Sequence, residues 1–499
     1  MQIFSYIKAV GLRSRKENKM YKTRKIASAA VAAVLVAGLS LSPAVSLAKT
    51  AGGNDVDDTP VTITGVADGD TVKFYQVFDA DIDASNNLTY TTKVDGLPGA
   101  YDTAAEVAGK DGRTVADAIA PVVTAGTATY TATAAGGKVT QSLDSGLYLV
   151  TVTTTSGATK IYQTMLVNAS PVVKNGKYAA ATLENVEAKS QPVTPPDKTV
   201  VSADGSTSGK LTDSYSVGDT ATFRIDTAVP SFPSDATHAS FSVTDVPEAG
   251  LSLNKGSIKV YDGDGYKNPV GAESYEVVYN DDGGFTVKFK WDYLKGHAGQ
   301  KVRVEYKSKV VSINVETGKV GNKAYGTFTP NPYEDKEVST EPADPQVQTY
   351  GFVFKKVTPT GTALPGAEFT IANADGPVTY IDAAGNKHTD GKVVSDANGY
   401  VHVNGLQKGT YTVTETGVPA GYQKVDPFNI SLDETDKGDS PATPNVTEKN
   451  FDVNTADVTD PKQGQLPTTG GAGTIAFTAG GVLLIAGGAV VVFRSRKRD

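Results

Sequence analysis

Phe352, Phe354 and Lys356 share one face of the alternating run Phe352-Val353-Phe354-Lys355-Lys356, and Lys355 falls on the other. In a strand, that period of two sends Lys356 inward with two aromatic rings. A lysine buried among rings loses the solvation of its charged form and becomes available as a neutral amine nucleophile. A carboxyl buried beside it is pushed the other way, keeps its proton and can polarise a carbonyl under attack. A second group of residues lies near the end of the chain. Leu466-Pro467-Thr468-Thr469-Gly470 precedes a mostly apolar run from Thr474 to Phe493, and Arg494, Arg496, Lys497 and Arg498 follow. A run of that length crosses a bilayer as one helix, and the basic residues stay on the cytoplasmic side.

The elements that must position these residues read as strands. Thr and Val are abundant, and Gly, Asp and Asn turns recur about every ten residues. Gly146-Leu147-Tyr148-Leu149-Val150-Thr151-Val152 and Phe285-Thr286-Val287-Lys288-Phe289-Lys290-Trp291 alternate, as antiparallel strands do. Asn280-Asp281-Asp282-Gly283-Gly284 suits a hairpin turn. Only Ala104 to Val122 has the pattern of a short helix. The expectation is an all-β chain of three tandem immunoglobulin-like β-sandwich domains. Two Pro-rich joints, Gln191-Pro192-Val193-Thr194-Pro195-Pro196 and Glu341-Pro342-Ala343-Asp344-Pro345, divide it into units at 51–190, 197–345 and 346–462.

Lys8, Arg13, Arg15, Lys16, Lys19, Lys22, Arg24 and Lys25 precede an apolar stretch from Ile26 to Leu41, and Ser46-Leu47-Ala48 supplies the small residues of a cleavage site. Residues 1–48 therefore read as a signal peptide, with Met1 or Met20 as the start. Removing this leader takes away eight of the 47 basic residues and one of the 55 acidic ones. Cutting after Thr469 removes four basic residues and one acidic residue more. The 35 basic and 53 acidic groups left give a net charge near −18. That charge argues against nucleic acid and anionic membrane surfaces as partners. There is no cysteine, so covalent bracing of an exported chain must come from other chemistry. His238, His297, His388 and His402 are scattered without metal-ligand spacing. Asp262-Gly263-Asp264-Gly265 lacks the later ligands of a calcium loop and reads as an acidic turn. Neither a metal nor a cofactor is expected.

The pentapeptide Leu466 to Gly470, placed before an apolar span and a basic tail, resembles the sorting signal of Gram-positive surface proteins. The resemblance implies that a sortase cysteine attacks the carbonyl of Thr469 and releases Gly470. An amine of peptidoglycan or of another protein then resolves the acyl-enzyme. In the third unit, Leu364-Pro365-Gly366-Ala367-Glu368-Phe369 and Tyr411-Thr412-Val413-Thr414-Glu415-Thr416-Gly417 resemble the CnaB-type domain and the E-box of pilins. What this implies is an isopeptide bond from a first-strand lysine to an Asn or Asp of the last strand, promoted by Glu415. The alternation selects Lys356. Asn454, within the strand-like Phe451 to Val458, is preferred over Asp460 as acceptor, because Pro461 suggests a strand that ends there. The bland alternative is an ordinary buried Lys356–Glu415 ion pair, which is costly to desolvate.

The second unit contains Asp197-Lys198-Thr199-Val200, Val243-Thr244-Asp245-Val246-Pro247 and Gly321-Asn322-Lys323-Ala324-Tyr325 in an order similar to the middle domain of pilus backbone subunits. Carried over residue by residue, Lys198 is the amine, Asn322 the acceptor and Asp245 the promoting acid. The first unit resembles the N-terminal domain of the same pilins through Phe74-Tyr75-Gln76-Val77 and Ser145-Gly146-Leu147-Tyr148. Asn185-Val186-Glu187-Ala188-Lys189-Ser190 stands where such pilins carry the acceptor lysine, with Glu187-Ala188 in place of the usual Tyr-Pro. Lys189 is the candidate acceptor, and Lys174 and Lys177 are alternatives. The chain thus resembles the major backbone subunit of sortase-assembled pili. The partners implied are a sortase, further copies of the chain, minor or tip pilins and peptidoglycan. A monomeric wall-anchored adhesin of the same modules is the rival reading. A secreted enzyme lacks the nucleophile elbow, metal cluster or free carboxylate pair it would need.

Overall fold

The computed structural model describes residues 58–154, 159–432, 452–454 and 457–463. Its described residues form three β-rich units in chain order. The leader, the pentapeptide and the apolar tail lie outside the described residues. Among the described residues no helix is long and apolar enough to cross a membrane.

The first unit sets a three-stranded sheet (Thr59–Thr64 between Lys138–Leu143 and Leu183–Glu187) against a larger one. At the centre of the larger sheet, Thr71–Ile82 pairs with Gly146–Thr153. Phe74, Tyr148, Val150 and Val152 of this sheet meet Val61, Ile63 and Val139 of the other. The opposite face, with Tyr75, Val77, Leu147 and Leu149, is covered by a helix, Gly112–Val123, through Val115, Ala116 and Ile119. All eight residues of Gly146–Thr153 are therefore buried. Their alternation in sequence distinguishes two covered faces, not a wet face from a dry one.

The second unit is a sandwich of two antiparallel layers. One contains Asp197–Val201, Thr220–Ala228, Lys301–Val310 and Lys259–Asp262. The other contains Lys319–Phe328, Phe241–Pro247, Phe285–Phe289 and Tyr275–Tyr279. Burial alternates strictly along Thr220–Ala228, as a half-buried strand requires. The turn at Asn280–Gly284 closes a hairpin, with Gly283 at φ +86°, a conformation that favours glycine. Gln346–Gln348 pairs with Lys319–Gly321, so this short strand completes the second unit's sheet instead of opening the third.

The third unit pairs Tyr350–Val357 with Tyr400–Leu406 on one side. On the other it runs parallel to Asp452–Asn454 and Val458–Thr459. The facing sheet contains Glu368–Asn373, Gly409–Gly417 and Phe428–Leu432. Phe352, Phe354, Phe369, Ile371, Val401, Val403, Tyr411 and Val413 fill the space between them.

The units touch at both joints. Tyr333, from the loop after Lys319–Phe328, is buried in the helix-covered core of the first unit. Its neighbour Glu334 accepts from Lys73 Nζ at 2.8 Å and from Thr153 Oγ1 at 3.1 Å. At the second joint, Val217 N donates to Gly405 O at 2.7 Å and Gln407 N to Ser216 Oγ at 3.0 Å. Lys408 pairs with Asp213 there.

Candidate functional site

Two clusters of amine, acid and carbonyl lie inside the second and third sandwiches. Lys198, Asp245, Asn322, Lys356, Glu415 and Asp460 are each between 0% and 3% exposed. Charged side chains are almost never buried so fully unless paired.

In the second unit, Lys198 projects from the first strand into the space between the layers. Its Nζ lies 5.5 Å from the Phe223 ring centre and 5.6 Å from that of Tyr306. It donates to Asp245 Oδ1, and to Lys323 O at 2.9 Å. Asp245 and Asn322 come from neighbouring antiparallel strands of the opposite layer, with Pro247 in register with Asn322. Burial pulls the Lys198 amine down to about 8, more than Asp245 holds it up. Burial pushes the Asp245 carboxyl up, against the opposing effects of Lys198 and Tyr306. Lys198, Asp245 and Asn322 are thus gathered at one place, joined by a residue that the sequence reading passed over. Tyr306 OH donates to Asp245 Oδ1 and accepts from Asn322 Nδ2 at 2.9 Å. Its signal was present in the inward alternation of Val302, Val304 and Tyr306, but nothing in that pattern separates a polar bridge from core packing.

In the third unit, Lys356 Nζ donates to Asp460 Oδ1 and lies 3.2 Å from Glu415 Oε1 and 5.5 Å from the Phe369 ring centre. Lys355 points outward, with its Nζ 5.3 Å from the Tyr400 ring centre. Glu415 reaches in from the facing sheet, and its Oε2 accepts from Val425 N at 2.9 Å. Burial raises Glu415, and the nearby Asp460 reinforces the effect. Burial raises Asp460 too, against the pull of Lys356. Of the two candidate acceptors, it is Asp460 whose carboxyl contacts the Lys356 amine. Asn454 is in register with Val353, whereas Val458 is in register with Lys356. Asp460 N donates to Val357 O at 3.0 Å, one residue beyond the last paired strand residue. The strand does end before Pro461, and its end is what brings Asp460 to the amine.

Lys189 lies between the strands Leu183–Glu187 and Ser190–Pro192. Its side chain is exposed, and its carbonyl accepts from Gln163 N at 2.9 Å. Lys174 and Lys177 are also exposed, on a two-stranded hairpin. Asp262 to Gly265 forms the turn between Lys259–Asp262 and Asn268–Pro269, and Asp262 Oδ2 accepts from Tyr293 OH at 3.0 Å.

Residues 351–445 match the family model of the SpaA prealbumin-like fold domain. The third unit is thus similar to SpaA-type domains. Residues 459–499 match the LPXTG cell wall anchor motif, which marks a secreted, wall-anchored surface protein. No curated protein sequence matches the chain. Its fold is similar to the T6 backbone pilin of Streptococcus pyogenes serotype M6, described as a modular three-domain structure. The TM-score is 0.59 at 18% identity, over 84% of this chain and 100% of that one. It is also similar to two major pilins of Corynebacterium diphtheriae, each with a TM-score of 0.51 and 18% identity. SpaD is matched over 83% of this chain and 100% of its own, and SpaA over 81% and 99%. The SpaA structure is described as pointing to a modular pilus assembly with stabilising isopeptide bonds. The described residues thus have a multidomain β-sandwich fold similar to that of these major pilins, and the chain carries an LPXTG cell wall anchor motif.

Proposed function

We propose that this chain is the backbone subunit of a covalent surface pilus, joined head to tail by a sortase and stapled inside two of its domains. The observation that carries the reading is the pair of buried amine–acid–acceptor clusters, in consecutive domains, upstream of a sorting signal. In the second domain, neutral Lys198 Nζ attacks Cγ of Asn322 and ammonia leaves. Protonated Asp245 polarises the carbonyl, and the proton that the amine sheds is passed by way of Asp245 to the leaving nitrogen. In the third, Lys356 attacks Cγ of Asp460 in its acid form, water leaves, and Glu415 has the role of Asp245. Each product is a neutral amide, so bonding removes the charges whose desolvation makes a buried ion pair costly.

The first bond links the two layers of its sandwich. The second ties the first strand to the parallel last segment of the same sheet. Between subunits, the sortase joins Thr469 of one to Lys189 of the next. Different surfaces meet at that contact, so it is heterologous and extends without closing. The experiment that tests this is expression with its sortase and analysis of wall extracts under denaturing conditions. A ladder of very large species supports the shaft; a single band at monomer size supports the wall-anchored adhesin.

A further inference from the structure

We infer that Tyr306 is the proton relay and positioning residue of the Lys198–Asn322 step, an inference that rests on the bond-forming reading above. Its ring is held by Phe285, 4.8 Å away edge-on, and by Phe223, 5.7 Å away and stacked. Its hydroxyl is fully buried and has two polar contacts: it donates to Asp245 Oδ1 and accepts from Asn322 Nδ2 at 2.9 Å. Burial and the Asp245 carboxylate push the phenol well above its usual range, so it keeps its proton until a partner takes it.

These contacts orient the acceptor amide. With Nδ2 turned to the tyrosine, Asn322 Oδ1 is left buried without a partner, and so is Asp245 Oδ2. A proton on Asp245 Oδ2 supplies the donor that the amide oxygen lacks once attack builds charge on it. Lys198 Nζ meanwhile contacts Asp245 Oδ1, the same oxygen that Tyr306 contacts. The protons then balance. Nζ bonds to Cγ and sheds a proton onto Asp245 Oδ1. Attack makes Nδ2 pyramidal and basic, so the Tyr306 hydroxyl turns from Oδ1 to Nδ2 and gives it its own proton, and Oδ1 passes a proton to the tyrosine oxygen. The Cγ–Nδ2 bond breaks and ammonia leaves. Tyr306 and Asp245 end as they began.

The test is Tyr306→Phe in the full ectodomain, followed by intact mass from the moment of purification, with the third-domain bond of the same molecule as internal control. Bond formation in the second domain should slow on the order of a hundredfold, so that chains still carrying the second-domain ammonia appear and decay with time. Hydrogen exchange on the same sample should show the second domain folded in those unbonded chains. Fluorotyrosine at 306, which restores a hydroxyl, should restore prompt bonding. Prompt, complete bonding in Tyr306→Phe would overturn the relay while leaving the bond itself intact. Confinement of the unbonded fraction to unfolded chains would also overturn it, reducing Tyr306 to a packing residue. A wild-type second domain that never loses ammonia would instead sink the bond-forming reading.

Discussion

Lys356 and Asp460, 104 residues apart in sequence, meet where two parallel strands end, with Glu415 against the same amine from the facing sheet. The backbone of Asp460 is tied to Val357, so the contact is fixed by the ladder as well as by the side chains.

Asp460→Ala should therefore leave the third domain unbonded, and Asn454→Ala should bond as the parent does. Asp460→Asn should still bond, but with loss of ammonia where the parent loses water. Intact mass separates all three. Bonding in Asp460→Ala together with failure in Asn454→Ala would reinstate Asn454.

Glu415→Ala should abolish the same bond, because no protonated acid remains to polarise the carbonyl. The domain should also melt earlier. By analogy with disulfides that close loops of this size, the entropic part is on the order of 4 kcal/mol. Calorimetry of the ectodomain checks it, with the second domain as an unchanged reference.

The second domain should show a pH signature only when unbonded. Lys198 titrates in the fold at about 8 instead of 10.5. A base depressed in this way stabilises the fold through its neutral form. That contribution is complete above 10.5 and is lost as the pH falls to about 8. Asn322→Ala, which cannot bond, should therefore gain roughly 3 kcal/mol against urea across that rise. Asp245 acts in the opposite sense from 3.8 upward, losing its contribution as the pH rises to its own elevated value. In the parent the nitrogen is an amide and does not titrate, so the gain between the two Lys198 values should be absent. An equal gain in both proteins would mean that Lys198 is a free amine in the parent.

Tyr333→Ala should destabilise the first domain although the residue belongs to the second. Tyr333 is 5% exposed and packs in the first domain's helix-covered core. Emptying that space should cost on the order of 3 kcal/mol. The first domain's melting transition should fall while the third domain's stays put.

Lys189→Ala should remove the high-molecular-weight ladder and leave wall attachment intact, since attachment uses Thr469 and a peptidoglycan amine. Lys189→Arg should fail equally, because a guanidinium stays protonated and is a poor nucleophile. Persistence of the ladder moves the acceptor to Lys177 or Lys174. If no lysine of the first domain matters, the adhesin reading takes over.

Sandwich class and the inward Lys356 were legible because period-two alternation decides which side chains go inward, whereas Lys198 came from the resemblance to pilin middle domains. The helix expected within Ala104 to Val122 is present as Ala104–Val107 and Gly112–Val123, but the same period could not tell one covered face from two, so its place over Gly146–Thr153 was not seen. Nor could it assign Gln346–Gln348, whose partner Lys319–Gly321 is distant in sequence. The contact of Asp460 with Lys356 was not legible for a related reason. Pro461 correctly signals the end of a strand, but register alone decides which residue then faces the amine. Tyr306 was missed because an inward tyrosine reads as core until its hydroxyl's partners, Asp245 and Asn322, are known.

The intact mass of the purified ectodomain tests the central claim most directly. The account predicts a chain lighter than its sequence by one ammonia, from Lys198 and Asn322, and one water, from Lys356 and Asp460. A mass equal to the full sequence value would contradict both bonds at once.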